Sequence, residues 1–142
     1  MRSNRGSFVV LAWLAALTTA THALSAQAAR AAVNTIARGK TIFESTCRGC
    51  HTVSPPLQGG PAMSRIAQRY VERLGPRASA STRIAEWLAG PTAEKSLLPR
   101  DEVARFGVMP HQPLADAGRF AVAAYVVTLV DAGPGRRKGK RR

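Results

Sequence analysis

Two cysteines and a histidine lie together in the first half of the chain, in the run Cys47-Arg48-Gly49-Cys50-His51. The thiols are separated by two residues, and the imidazole follows the second thiol directly. This C-x-x-C-H spacing suits covalent haem attachment, in which both thiols add to vinyl groups and the next residue binds the iron. Imidazole is a good iron ligand, and the adjacent thioether bonds limit where its ring can point. The motif therefore predicts one covalently attached haem c.

Three other kinds of site use the same residue types. A thioredoxin-type redox pair also has C-x-x-C, but it lies at the start of a βαβ unit, and no strand pattern precedes Cys47. A structural zinc site needs four ligands, yet beyond the N-terminal segment the chain has two cysteines and two histidines, with His111 far downstream. A disulfide across two residues would constrain little. The spacing favours haem over all three.

The elements that position this motif are predicted to be helices. One apolar face at helical spacing predicts a helix over about residues 35–47, with Asn34 as its cap. Gly39 on that face has no side chain and would let another helix approach closely. The face consists of Ile36, Gly39, Phe43 and Cys47.

Glycine and proline divide the rest of the chain into short segments. Residues 52–61 and 92–113 are predicted loops because of their prolines, the second loop being mostly extended around Met109. Two helices between these loops are predicted to end at Gly75 and Gly90, each followed by proline, and a last helix begins at its candidate cap Asp116 and runs to about residue 130. No alternating strand pattern is present. The predicted class is all-α, with short helices and loops wrapped round one haem.

These features resemble the class I cytochromes c, the monohaem family, over about residues 35–129. Gly39 and Phe43 precede Cys47 by eight and four residues, which is similar to the family's N-terminal helix. Tyr125 corresponds to an aromatic residue of the family's C-terminal helix that packs against the glycine. The resemblance implies the cytochrome c fold, with the first and last helices crossing at this point.

The resemblance also implies a second axial ligand for the iron beside His51. In the family this ligand is a loop methionine, often followed by proline, and Met109-Pro110 matches it. Met63 is a rival that core packing explains more simply, and His111 is a rival that fits an exposed loop histidine. A thioether is a soft, neutral ligand that favours ferrous iron, so His/Met ligation raises the reduction potential relative to two histidines.

Two further residues are assigned by the resemblance. Pro61 matches the proline whose carbonyl accepts the N–H of the haem histidine, with Pro55 and Pro56 as rivals nearer to the motif. Trp87 lies where the family often has a tryptophan whose N–H meets a haem propionate. A core aromatic on an amphipathic helix is an equally good interpretation of Trp87.

The N-terminus has the features of an export signal. Arg2 and Arg5 are followed by an apolar stretch from Phe8 to Leu17, and Ala26-Gln27-Ala28 offers small residues for cleavage. The apolar stretch is shorter than the ~20 residues of a spanning helix, so cleavage is favoured over a retained anchor. We therefore predict a signal peptide over residues 1–28, a cytochrome c domain over residues 29–132, and a periplasmic location.

Charge is the other marked property of the chain. The 142 residues carry a formal net charge of +13. Much of it lies in the tail of residues 133–142, which has no large apolar side chain and is predicted to be disordered. Such a tail would guide docking onto an acidic redox partner or hold the protein on anionic lipid, and nucleic acid is not an expected partner of an exported protein.

Electron transfer is the predicted function. An iron with both axial positions taken by the protein changes oxidation state without binding a substrate. The chain shows no paired acids, no nucleophile beside a base and no glycine-rich phosphate loop, so we expect an electron carrier rather than an enzyme. The alternatives are a haem c subunit of a larger dehydrogenase or oxidase, and a haem c protein that binds or senses a small ligand.

Overall fold

A computed structural model describes residues 5–132 of the chain and the side chains of residues 24–132. The predicted disordered tail of residues 133–142, together with Arg2 and the side chains of the apolar stretch near the N-terminus, lies outside this description. The chain divides into two compact units, Met1–Asn34 and Thr35–Arg142. Within the described residues, no helix combines the length and the apolar content that crossing a membrane requires.

Five α-helices make up most of the described chain, and no β-strand occurs in it, so the all-α prediction is confirmed. Helices α2 and α3 end at Gly75 and Gly90, as the Gly-Pro pairs predict. Helix α3 packs against α5, and α2 packs against α3, α5 and the final turn. The helices are α1 (Arg5–Ile42), α2 (Met63–Leu74), α3 (Arg77–Ala89), α4 (Arg100–Phe106) and α5 (Asp116–Thr128), with a 3₁₀ turn over Leu129–Ala132.

The start of the first predicted helix is wrong. Asn34 lies inside α1 and does not cap it, because the alanine-rich residues before it favour continued helix. The end of the predicted helix is a π-helical turn, Phe43–Cys47, in which the N–H of Arg48 donates to the Phe43 carbonyl at 2.9 Å. Such turns are frequent at functional sites, and this one leads directly into the C-x-x-C-H motif.

The first and last helices of the second unit cross at Gly39, as predicted. A Cβ atom on Gly39 would lie 1.9 Å from the Ala121 carbonyl oxygen and 2.9 Å from the Tyr125 Cβ. Only glycine therefore allows α5 to approach α1 this closely. The buried rings of Phe43 and Tyr125 pack beside the crossing with their centroids 5.6 Å apart.

The second long predicted loop contains helix α4, which the prediction missed, whereas residues 107–115 around Met109 have no regular secondary structure, as predicted. Pro99 precedes the helix, and Gly107 ends it with a φ of 73°, a conformation that favours glycine. Asp101 in the first turn and Arg105 in the last turn complement the helix dipole. The sequence contains these signals, but the prolines on either side of them led to the prediction of a loop.

The start of the last helix also differs in detail from the prediction. The cap position of α5 is Ala115, and Asp116 is its first helical residue, without a side-chain bond to the helix N-terminus. Asp116 instead forms an ion pair with Arg119 one turn later. The body of α5 is largely buried and lies against α3, so packing rather than capping holds this helix.

Candidate functional site

The C-x-x-C-H motif forms a tight turn at the edge of a cavity. The N–H of His51 donates to the Cys47 carbonyl at 3.0 Å, and the N–H of Cys50 donates to the same carbonyl at 3.2 Å. Cys47 is half-buried and Cys50 is exposed, and both are free thiols. Burial raises the pKa of the Cys47 thiol above its ordinary value. The turn thus presents two unpaired thiols and one imidazole from five consecutive residues.

His51 is buried, with 6% of its surface exposed, and its ring is held by the chain that follows it. Its Nδ1 donates to the carbonyl of Pro61 at 2.8 Å. The carbonyl of Pro56 accepts a different bond, from the Thr52 hydroxyl at 3.1 Å. With the proton on Nδ1, the lone pair of Nε2 is free to bind a metal. Pro61 therefore makes the contact that the resemblance assigned to it.

The backbone of Gly60 packs against this imidazole ring, a contact that the sequence analysis did not predict. A Cβ on Gly60 would lie 2.7 Å from the Cε1 atom of His51. The N–H of Gly60 also donates to the Cys50 carbonyl at 2.9 Å, which fixes the loop beside the motif. The only sequence signal was the Gly-Gly-Pro run, which indicates a loop but not what the loop touches.

His51 and Met109 contact each other. Both residues line two adjoining cavities, one facing the helices and one opening beside the motif. Met63, the rival methionine, is buried at the start of α2 and lines the first of these cavities. His111 is exposed and belongs to the lining of neither cavity. The structure thus brings Met109 to His51, as a ligand pair requires.

Trp87 lines the first cavity from α3, but its indole N–H already donates a hydrogen bond within the protein. The indole N–H donates to the carbonyl of Thr92 at 3.1 Å. In this structure the N–H that the resemblance assigned to a propionate is therefore engaged within the protein. The bond favours the other interpretation of Trp87, as a core aromatic whose polar atom is satisfied locally.

The first cavity suits a large, mostly apolar group. Together with its open mouth, it contains about 880 Å³ of empty space. Aliphatic and aromatic side chains dominate its wall, and burial raises the pKa of the Tyr70 phenol above its ordinary value. Cys47, His51 and Met109 all reach this wall. The residues present therefore fit a haem joined to the motif and held between an imidazole and a thioether.

Helix α4 supplies a further residue that sequence reasoning missed. Glu102 is buried, with 9% of its surface exposed, and lines the first cavity. One of its carboxylate oxygens pairs with Arg65 of α2. Nothing in the sequence pattern distinguished Glu102 from the exposed acids beside it.

The structure gives the competing sites little support. Within the described residues, no group of three or more histidine, cysteine, aspartate or glutamate side chains is arranged to hold a metal ion. Cys47 and Cys50 are not joined in a disulfide. The described chain also contains no strand from which a thioredoxin-type βαβ unit could begin.

A comparison with protein families agrees with the geometry. The family model described as "Cytochrome c" matches residues 36–130, which is most of the second compact unit. The chain belongs to the cytochrome c family. No curated protein and no solved structure matches it. Family membership implies haem c and electron transfer, and the all-helical architecture is consistent with the cytochrome c fold.

Proposed function

We propose that this cytochrome c is an exported monohaem electron carrier with His51 and Met109 as axial ligands. The observation that carries the proposal is the 2.8 Å bond from His51 Nδ1 to the Pro61 carbonyl. In the neutral imidazole, this bond places the proton on Nδ1 and the lone pair on Nε2, and it restrains the ring next to Met109. When bound, haem supplies an iron that accepts and releases one electron.

The protein's own residues support a carrier more than a ligand-binding haem protein. Met109 is in contact with His51, and its thioether would occupy the position that a small molecule needs. The mostly apolar wall of the cavity would limit the access of water, and so the rearrangement of solvent when the charge of the site changes. Cys47 and Cys50 would tether the group through two thioethers, so the carrier would keep it through many cycles.

Visible and near-infrared spectra of the holoprotein, matured with a competent haem-attachment system, test the ligand assignment. We expect a weak near-infrared band in the ferric state and no rapid binding of carbon monoxide in the ferrous state. Met109→Leu should lose the band and bind carbon monoxide. Met63→Leu, a change of the same residue type in the same cavity, is the matched control and should behave as the unchanged protein. Loss of the band in Met63→Leu alone would reassign the ligand.

We also propose export with removal of residues 1–28. The supporting feature is the positively charged, apolar and small-residue order of the N-terminal sequence. Mass spectrometry of protein recovered from the periplasmic fraction should give a mature chain that begins at Ala29. A mature chain that keeps the apolar stretch would instead mean a retained anchor.

The basic tail is proposed to steer the carrier onto a redox partner with an acidic surface. Seven residues, 136–142, include six lysines and arginines. Clustered charge raises encounter rates at low ionic strength, because screening is then weak. Binding of the tail to anionic lipid would be detected instead as sedimentation with phosphatidylserine vesicles but not with neutral vesicles.

A further inference from the structure

Glu102 brings a buried charge to a cavity wall that is otherwise uncharged. Its residue surface is 9% exposed, and it lies on α4 between Asp101 and Val103. Among the described residues that line the first cavity, Glu102 alone has a side chain that ordinarily carries a full charge at neutral pH. The lining of the adjoining cavity, within the same described part of the chain, includes no aspartate, glutamate, lysine or arginine. One carboxylate therefore dominates the electrostatics of the wall.

The two oxygens of this carboxylate have unequal surroundings. Oε1 accepts a hydrogen bond from the Nε of Arg65, which joins α4 to α2. Oε2 is buried and has no hydrogen-bond partner within the described chain. A carboxylate oxygen without a donor keeps its charge uncompensated, and in a low-dielectric interior that charge acts over a longer distance than in water.

The positive partner does not cancel this charge inside the cavity. The Arg65 side chain is 61% exposed, whereas the Glu102 side chain is 11% exposed. Solvent screens the guanidinium far more than the carboxylate. Arg65 also lies in an outer cleft with Arg69 and Glu72, and Glu102 is the residue common to that cleft and the cavity. Of this ion pair, the carboxylate therefore acts more strongly on the cavity than the guanidinium does.

We propose that Glu102 is a residue that sets the reduction potential of this cytochrome, holding it lower than the His/Met ligand pair alone would, and that Arg65 moderates the effect. This inference rests on the proposed haem site. Reduction adds one electron from a redox partner to ferric iron, so the site loses one positive charge. A nearby carboxylate stabilises the more positive ferric state and so disfavours reduction.

Charge-removing variants of nearly constant shape test the proposal. Reduction potentials are measured by spectroelectrochemical titration of the purified holoproteins at one pH and at low ionic strength. Glu102→Gln should have a higher potential than the unchanged protein. Glu72→Gln is the matched control, because Glu72 lies in the same outer cleft, pairs with Arg69 at 3.8 Å and has a 52% exposed side chain. Its potential should stay close to that of the unchanged protein.

Arg65→Gln is a second test, in which the reduction potential should shift in the opposite direction. Removing the guanidinium leaves the carboxylate less compensated, so the potential should fall. A purely structural role for the pair would give the two variants shifts of the same sign, because both break the same bond between α2 and α4. Arg65 is largely exposed, so its variant is informative even if Glu102→Gln does not mature.

The outcomes separate this inference from the function on which it rests. An unchanged protein that acquires no covalent haem would overturn the proposed function itself. A haem-bearing protein in which Glu102→Gln matches Glu72→Gln, or in which Arg65→Gln raises the potential, would overturn the role of Glu102 and leave the electron-carrier proposal intact.

Discussion

Replacing Gly60 by alanine would press a methyl group against the imidazole of His51. The added Cβ would lie 2.7 Å from Cε1, 2.9 Å from Nδ1 and 3.2 Å from Nε2. Because these distances differ so little, the methyl group would sit over the face of the ring and not at its edge. To lengthen the shortest of these distances to an ordinary contact of roughly 3.5 Å, the methyl group and the ring must move apart by about 0.8 Å.

Either the ring or the Gly60 backbone must make this displacement. The backbone is held by the 2.9 Å bond from its N–H to the Cys50 carbonyl. A ring that moves about 0.8 Å across its 2.8 Å bond to Pro61 tilts by roughly 15°. Functional constellations tolerate errors of about 0.5 Å and 10–20°. We therefore expect a disturbed iron ligand and a loss of about 1–3 kcal/mol in the free energy of unfolding, as in other overpacked sites.

Thermal unfolding and spectra of the holoprotein measure both effects. In a domain of this size, each kcal/mol corresponds to roughly 4–8 °C in Tm. Gly59→Ala is the matched control, because its Cβ would come no closer than 3.8 Å to Cys50. Gly60→Ala should unfold at a lower temperature than Gly59→Ala, with a weaker near-infrared band and a shifted reduction potential. The same Tm and the same spectrum in both variants would refute the steric role of Gly60.

Three further predictions concern the helix crossing, the thiols and the tail. Gly39→Ala should destabilise the protein by roughly 3 kcal/mol or more in thermal unfolding, because the crossing has no room for a Cβ, whereas Gly49→Ala, with nothing within 4 Å, should change Tm little. In the protein without haem, iodoacetamide should alkylate the exposed Cys50 before Cys47. Burial raises the pKa of Cys47, so its thiolate forms at higher pH and its labelling should accelerate only as the pH rises; equal rates at neutral pH would contradict this. Deleting residues 136–142 should slow electron transfer to an acidic partner at low salt, and rates unaffected by the deletion at every salt concentration would exclude steering.

The haem c that the family implies could be predicted because the residues of the C-x-x-C-H motif are consecutive. Cys47, Cys50 and His51 lie within one turn of chain, so their spacing alone brings them together. Pro61 is ten residues from His51 and could be assigned through the family resemblance. Helices ended by a Gly-Pro pair were likewise predictable, because such signals act on the local backbone.

Helix boundaries and the short helix α4 were predicted less well. Helix α4 was taken for a loop, because seven residues between prolines give too short a periodic pattern to recognise. Asn34 was taken for a cap, although propensity in the preceding residues continues the helix through it. In both places a local rule competed with another local rule, and only the folded chain decided between them.

The sequence by itself indicated the chemistry of the site, because the residues of the C-x-x-C-H motif are neighbours along the chain. Only the tertiary structure decided which distant residues surround that motif. The contact of Gly60 with an imidazole and the unpartnered oxygen of Glu102 arise where separate segments pack together. Steric exclusion and electrostatic fields act through space, so spacing along the chain does not reveal these residues.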